Sequence, residues 1–489
     1  MSDATSTDSA WDRRRWLVLG VIGLAQLMVV LDLTVMNIAL PSVQRALHIT
    51  TVARQWVVTA YTLAFGSLLL PGGRLADLLG RKVTFLIGLL GFAGVSAIGG
   101  ASVNFGMLIT ARACQGAFGA LLVPSALSLL TTTFTEPKER GKAFGIYGAI
   151  AGGGGAIGLL LGGALTEYLS WRWTLYVNLI FAGAAFIGGA ILLTRQSSQV
   201  KPKLDIPGVL LVSAALFCLV YGFSNAATHN WHTPSTWGFL VAGVVLLVVF
   251  AIWQGRAASP LLPPRIVLDR NRGGAYASML IASSGMFGIF LFLTYYLTTV
   301  LGFTPVRTGL AFLPMLAGIM LTATTAGSIL TPRIGPRPLV PLGALVAAGG
   351  MVLLTRLQLD STYVSGVLPG LIIVGLGLGL VFAPTQNAAT SGVEHHDAGV
   401  ASAMINTVQQ IGGSIGTALL STFAATAASD YLTGRTPSAQ AAMQAQMASY
   451  HTVFWWSAGF FVLSAIVAAV LFRTGPLDVD PDAPPAMAH

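Results

Sequence analysis

Apolar stretches of about twenty residues recur from Trp16 to Phe472, separated by short segments where charges, Pro and Gly gather. That length is what an α-helix needs to cross a ~30 Å hydrocarbon core. The pattern predicts fourteen spans, at about 16–40, 55–75, 83–101, 105–132, 143–165, 174–193, 206–224, 237–252, 273–300, 308–330, 339–355, 366–390, 399–423 and 452–472. The span at about 237–252 is the shortest. A membrane β-barrel would instead show ~10-residue segments of alternating character. The expected fold class is therefore an all-α polytopic membrane protein with fourteen transmembrane helices.

Composition excludes an ordinary soluble protein: 54% of residues are hydrophobic and 9% charged, against roughly 25% charged in soluble domains. The formal net charge of +9 would suggest nucleic acid in a soluble chain. Here topology places the charges. With a cytoplasmic N-terminus, the even-numbered loops and the C-terminus are cytoplasmic, and they hold nineteen of the 26 Lys and Arg residues. Six (Arg45, Arg54, Arg172, Arg307, Arg356 and Arg435) fall in the outer loops, and Arg112 falls inside a span. This bias fits the positive-inside rule, an even number of helices and cytoplasmic termini. The basic N-terminal tail leads into an apolar run too long for a signal-peptide core, so the first span is expected to remain uncleaved. Cys114 and Cys218 lie in apolar segments without a ligand spacing and read as packing residues.

The chain repeats itself. GGRLADLLGRK (72–82) follows the second span and SILTPRIGPR (328–337) the tenth, pairing Gly80 with Gly335. Gly154 and Gly158 in the fifth span pair with Gly412 and Gly416 in the thirteenth. Nearly one offset serves both matches. The expected organisation is a tail (1–15), a six-helix half (16–193), an inserted helix pair with linkers (194–272), a second six-helix half (273–472) and a C-terminal tail (473–489). Parallel halves with a site at their interface describe a large class of secondary transporter.

Two charges stand inside spans. Asp32 is the only acid plainly there, at a cost of about 2.5–3.5 kcal/mol at a helix centre, and Arg112 is its one candidate counter-charge. Counted along the helices, Asp32 lies ~24 Å from the inner end of span one and Arg112 ~10 Å from the outer end of span four. Their depths match. They can pair directly or through water and fix two helices, or separate during transport and let Asp32 take a proton; the second is the working mechanism. Gln115 shares a helix face with Arg112.

Several stretches resemble one family. Gly73, Leu75, Asp77, Gly80, Arg81 and Lys82 resemble the loop signature of the major facilitator superfamily, and Arg112, Gln115 and Gly116 its fourth-helix signature. Gly154, Gly158, Gly162 and Gly163 resemble the fifth-helix signature of its drug antiporters, with Leu159 at the Pro position. LDLTVMNIALP (31–41), SWRWTLYVNL (170–179), YYLTTVLGFTPVRTGLAFLP (295–314) and TVQQIGGSIGTAL (407–419) are similar to the fourteen-helix drug/proton antiporter branch, and LDIPG (204–208) marks the inserted pair. The resemblance implies proton-driven export by alternating access, with the proton gradient in place of a cofactor and the loop and fifth-helix glycines acting as a conformational switch.

The expected protein is a monomer in the cell membrane that handles protons and small molecules, without nucleic acid. Candidate residues for a substrate cavity are Asn37, Tyr61, Gln115, Tyr147, Phe287, Tyr295, Gln386, Asn387, Asn406 and Gln409, a mixture suited to lipophilic compounds. Asp32 could meet a cationic substrate and Arg112 an anionic one. A carrier dedicated to one metabolite, lipid or siderophore is the alternative; a membrane enzyme or sensor is the third reading, and no buried His or carboxylate cluster supports an enzyme. The pairs His229/His232 and His395/His396 lack further ligands at metal spacing. No P-loop is present, which argues against ATP as the energy source.

Overall fold

The computed structural model describes residues 4–134, 137–194, 205–229, 233–257, 260–393, 398–436 and 438–475. Among them the regular structure is entirely helical. The first half comprises α1 (Ala4–Leu47), α2 (Thr51–Leu79), α3 (Arg81–Gly100), α4 (Phe105–Thr133), α5 (Pro137–Tyr168) and α6 (Trp173–Leu192). Then come α7 (Ile206–His229), α8 (Pro234–Gln254) and the short α9 (Pro264–Leu268). The rest holds α10 (Arg270–Gly288, prolonged by π-turns to Val300), α11 (Pro305–Thr325), α12 (Thr331–Ile334), α13 (Pro336–Leu354), α14 (Leu368–Thr390), α15 (Ala398–Leu432) and α16 (Ala439–Leu471).

Twelve helices are long and apolar enough to cross a membrane among the described residues. The protein is thus a multi-pass membrane protein. The fourteen expected spans include α2 and α5, which fall outside that set. Among the described residues their apolar stretches are Trp56–Leu69 and Ile157–Tyr168, within helices of 29 and 32 residues. The weakest sequence span became α8, a full 21-residue helix, because Pro234 starts it earlier than the apolar run suggests. The polar stretch before Tyr450 also proved helical: α16 begins at Ala439, capped by the Ser438 hydroxyl accepting from Ala441 N.

The packing follows one scheme twice. α1 lies against α5 and α6, α2 against α4, and α3 against α4 and α6; likewise α10 lies against α15 and α16, α11 against α14, and α13 against α14 and α16. The paired glycines occupy equivalent places. Gly80 closes α2 and opens α3 at φ +90°, and Gly335 joins α12 to α13 at φ +76°, a backbone region that side chains resist. Gly154, Gly158 and Gly162 face Val30, Thr34 and Val35 of α1, while Gly412 and Gly416 face Leu280 and Ser284 of α10. A further correspondence lies at the end bearing the N-terminus, called here the terminal end. Arg14 donates to Leu192 O at the C-terminus of α6 (3.3 Å), and Arg270 donates to Val470 O and Leu471 O at that of α16 (2.7 and 2.9 Å). Each cation opposes the negative end of a helix.

The halves meet through α2–α15 and α5–α11. At the distal end, first-half residues such as Met36, Leu40, Val57 and Trp171 share one buried core with the second half. Towards the terminal end, Ile22, Met28, Leu69, Phe85 and Leu130 belong to a separate core of the first half. The inserted helices bridge the two: α7 packs against both α2 and α15, and Ser213 Oγ donates to Ser67 O at 3.0 Å. On α8, Val241, Val244, Val245, Val248 and Ile252 point outwards, as a lipid-facing surface does.

Asp205, within LDIPG, anchors the pair. Its carboxylate accepts from Gly208 N at 3.0 Å, Trp253 Nε1 at 2.7 Å and Gln254 Nε2 at 2.7 Å. Gln254 Oε1 in turn accepts from Leu262 N at 2.9 Å. Burial pushes the carboxyl up, but these hydrogen bonds outweigh it and hold it below its ordinary value. The stabilisation is therefore present above the usual carboxylate range and lost as pH falls through it. Substituting Asp205→Ala removes hydrogen bonds to a charged group, each worth about 1.5–3 kcal/mol. The expected result is faster amide exchange at Gly208 and Leu262 with the Asp32 region unchanged, measured by hydrogen–deuterium exchange at neutral pH.

Candidate functional site

Five helices of the first half converge on Asp32. α1 supplies the carboxylate, α4 supplies Arg112 and Gln115, α2 supplies Tyr61 and the Val57 carbonyl, α3 supplies Ser96 and α6 supplies Asn178. Arg112 Nη1 donates to Asp32 Oδ2 at 2.6 Å, with both side chains fully buried. Oδ1 accepts from Asn178 Nδ2 at 2.7 Å and Gln115 Nε2 at 3.1 Å. Arg112 also donates to Gln115 Oε1 at 2.9 Å and to Val57 O at 3.1 Å, and its guanidinium sits 4.5 Å from the centre of the Tyr61 ring. Ser96 Oγ accepts from Gln115 Nε2 at 2.7 Å and donates to Phe92 O at 2.6 Å. Out of water this pair strengthens, but each ion has given up its hydration, so the surrounding donors are what make it tolerable.

Three polar atoms of the cluster have no partner: Arg112 Nη2, Asn178 Oδ1 and Tyr61 Oη. The network is thus complete around the carboxylate and incomplete just outside it. Each ion retains further hydrogen bonds, so the arrangement can lose the ion pair without leaving both groups bare.

The expected cavity residues divide into several places. Asn37 and Phe287 do line a crevice between the halves, with Val58, Phe290, Leu291 and Thr417. It is a narrow slot, far short of the ~300–1,000 Å³ of typical ligand pockets. Tyr61 and Gln115 belong to the Asp32 cluster and do not line this crevice. Tyr147 donates to Gln26 Oε1 at 2.6 Å within the first half. Asn387 donates to Gly327 O at 3.1 Å, and Gln386 is exposed. Asn406 and Gln409 are half-buried on α15. Tyr295 is buried under Arg54, whose guanidinium lies 3.5 Å from the ring centre.

Among the expected switch residues, Gly73 meets Pro124 loosely, whereas the close approach of α2 to α4 falls on Gly72 against the Ala120 carbonyl. Lys82 donates to Ala190 O at 2.8 Å and to Leu193 O, joining α3 to the end of α6. Arg81 is half-buried. The Asp77 side chain and both His pairs' side chains lie outside the described residues.

A distal seam holds the halves together. Glu167 Oε2 accepts from Val306 N at 3.1 Å, placing a carboxylate on the N-terminus of α11. A methyl added at Gly163 would sit 2.7 Å from Pro305 O and from Val306 Cα. Arg54, bound to Gln44 Oε1 at 2.5 Å, reaches across to Tyr295. Sequence reasoning passed over Asn178, Ser96, Arg54 and Glu167. A lone amide in the apolar run of α6 was the available signal for Asn178; Arg54 and Glu167 looked like ordinary loop charges.

The family described as Major Facilitator Superfamily matches residues 22–417. The chain is 47% identical over 483 residues to the puromycin resistance protein pur8 of Streptomyces alboniger, covering 97% of this chain and 96% of that one. It is 38% identical over 405 residues to the cephamycin export protein CmcT of Amycolatopsis lactamdurans, covering 81% and 82%. In fold it is similar to an auto-inhibited POT family peptide transporter (TM-score 0.67, 16% identity, 97% of this chain and 99% of that one). It is also similar to an inward-facing, occupied bacterial homologue of the human lysosomal transporter Spinster (TM-score 0.64, 17% identity, 94% and 97%).

Breaking the pair from one side leaves a buried charge. Arg112→Ala is expected to cost about 3–5 kcal/mol, and a smaller amount in an Asp32→Asn background, a difference read by a double-mutant cycle of thermal unfolding in detergent. At the seam, Gly163→Leu drives a side chain into the α11 backbone. It should increase labelling of a cysteine placed at Val306, relative to the same cysteine in the otherwise unaltered protein.

Proposed function

Since the chain belongs to the Major Facilitator Superfamily, we propose that it is a proton-coupled antiporter exporting lipophilic or cationic small molecules of antibiotic size. In this reading α2 and α5 join the twelve apolar helices to make fourteen spans, both termini are cytoplasmic, and the working unit is a monomer. The observation that carries it is the sealed Asp32–Arg112 pair, a salt link joining α1 to α4 where hydrocarbon makes charge expensive.

A proton on Asp32 removes the negative charge and with it most of the attraction to Arg112. The charge link between α1 and α4 is then lost, leaving the weaker hydrogen bond from Gln115 to Asp32. α1 also carries Asn37 of the crevice and packs on the glycine face of α5, and α5 forms part of the seam with α11. Protonation is thereby connected to the place where the halves part. The crevice wall, with Phe287, Phe290 and Leu291 beside Asn37 and Thr417, suits a mainly apolar molecule with a few hydrogen-bonding groups. Its small volume fits a state that must open to accept one.

A second reading, an exporter dedicated to one metabolite, draws on relatives named for single compounds, puromycin and cephamycin. Puromycin is the natural first probe, with an unrelated lipophilic cation such as ethidium beside it. Efflux of both would favour breadth; efflux of puromycin alone would favour dedication.

The decisive comparison uses inverted membrane vesicles with an imposed pH gradient. Wild type is expected to accumulate substrate in proportion to the gradient. Asp32→Asn, which preserves shape, should remain folded yet lose at least ten-fold of the gradient-driven component, with exchange down a substrate gradient surviving. Uphill transport by that variant at the wild-type rate would rule Asp32 out as the proton site.

A further inference from the structure

The carboxylate of Asp32 is surrounded by donors alone. Arg112 Nη1 holds Oδ2, while Gln115 Nε2 and Asn178 Nδ2 hold Oδ1. That suits an anion. A protonated carboxyl carries an O–H that must itself be donated, and a buried hydroxyl without an acceptor costs about 1–3 kcal/mol. One neighbour must therefore change what it offers.

Gln115 cannot do so cheaply. Its Oε1 accepts from Arg112, and its amide nitrogen donates to both Asp32 and Ser96. Turning it over would break three bonds. Asn178 differs. Its Oδ1 is fully buried and unpartnered, while its amide nitrogen holds Asp32 at 2.7 Å and Ser96 only weakly at 3.4 Å. An unused acceptor thus sits on the same small amide that now donates to the carboxylate.

Resting on the antiporter reading above, we propose that Asn178 is a positioning residue for proton uptake, its side-chain amide turning about χ2 so that Oδ1 accepts the O–H of protonated Asp32. The step balances simply. A proton from the aqueous phase forms an O–H bond on Asp32 Oδ1, the carboxylate becomes neutral, and the Nδ2–H bond to Asp32 is exchanged for an O–H bond to Asn178. Ser96 keeps its stronger bond from Gln115 throughout. In the same step Arg112 loses its anionic partner and retains Val57 O, Gln115 Oε1 and the Tyr61 face.

The titratable and charged groups facing Asp32 are Arg112 from α4 and Tyr61 from α2. Ser96 from α3 and Asn178 from α6 are neutral. On α5 the surface against α1 at this depth is glycine, and the one titratable group of α11, Arg307, is exposed near its distal start. Asn178 is therefore a neutral group placed to tell the two states of Asp32 apart.

The test needs only protons. Full-length protein in lipid nanodiscs is taken between high and low pH, and infrared difference spectra are recorded with and without ¹³C-labelled asparagine. Wild type should develop a protonated-carboxyl C=O band that is absent from Asp32→Asn, together with an isotope-sensitive asparagine carbonyl change over the same pH range. In Asn178→Leu the asparagine change should vanish and the carboxyl band move to higher wavenumber, its O–H having lost its acceptor. Asn178→Ser, whose hydroxyl can accept, should return the band towards wild type. An Asp32 band unmoved by Asn178→Leu, or a labelled signal that survives both substitutions, overturns the role of Asn178 and leaves the antiporter reading standing. Absence of any band that depends on Asp32 removes the antiporter reading's proton site itself. Should Asn178→Leu fail to fold, the labelled wild type and Asn178→Ser still decide.

Discussion

A positive and a negative charge, both withdrawn from water, hold the first half of this protein together at Asp32 and Arg112. Neither ion is affordable alone in hydrocarbon. Their neighbours are arranged accordingly: two amides, a hydroxyl, a backbone carbonyl and an aromatic face come from helices remote in sequence. The relative placement of α1, α2, α3, α4 and α6 is thus tied to one electrostatic requirement. A hydrophobic bundle would tolerate sliding, because lipid and Leu are equally apolar. A desolvated ion pair does not.

The same economy explains the glycines. Helices in lipid gain little from apolar burial against one another and rely on close contact. α5 and α15 therefore present glycine to α1 and α10, and the two distal contacts of Gly163 and Gly309 bring α5 and α11 backbone to backbone. The charges at the terminal end act differently. Arg14, Lys82 and Arg270 spend their charge on exposed helix carbonyls, which is how loop cations become part of the packing.

The sequence carried the helix positions and the pairing of Asp32 with Arg112 because both follow from solvent physics: hydrocarbon demands long apolar runs and forbids solitary charges. The repeat was legible through Gly80 and Gly335, since a positive φ leaves a residue-type trace. The cavity was much less so. Tyr147 and Asn387 are polar groups in spans, yet each satisfies a partner inside its own half, and Tyr61 turns its ring face to Arg112. Hydropathy cannot distinguish an amide aimed at ligand from one aimed at a carbonyl. Asn178 escaped for the converse reason: an uncharged side chain in an apolar run raises no alarm until the carboxylate it touches is located. The start of α16 at Ala439 was missed because Ala and Gln favour helix without favouring lipid.

The position of α7 has a consequence for routes through the bilayer. Two seams separate the halves, α2–α15 and α5–α11, and the internal repeat makes them equivalent. α7 lies across the first, stitched to Ser67, whereas among the described residues neither α7 nor α8 packs on the second. The molecule therefore has one flank overlaid by an extra helix and one formed by the α5–α11 contact alone. A compound dissolved in the acyl chains would meet α7 over one seam and the α5–α11 contact itself at the other.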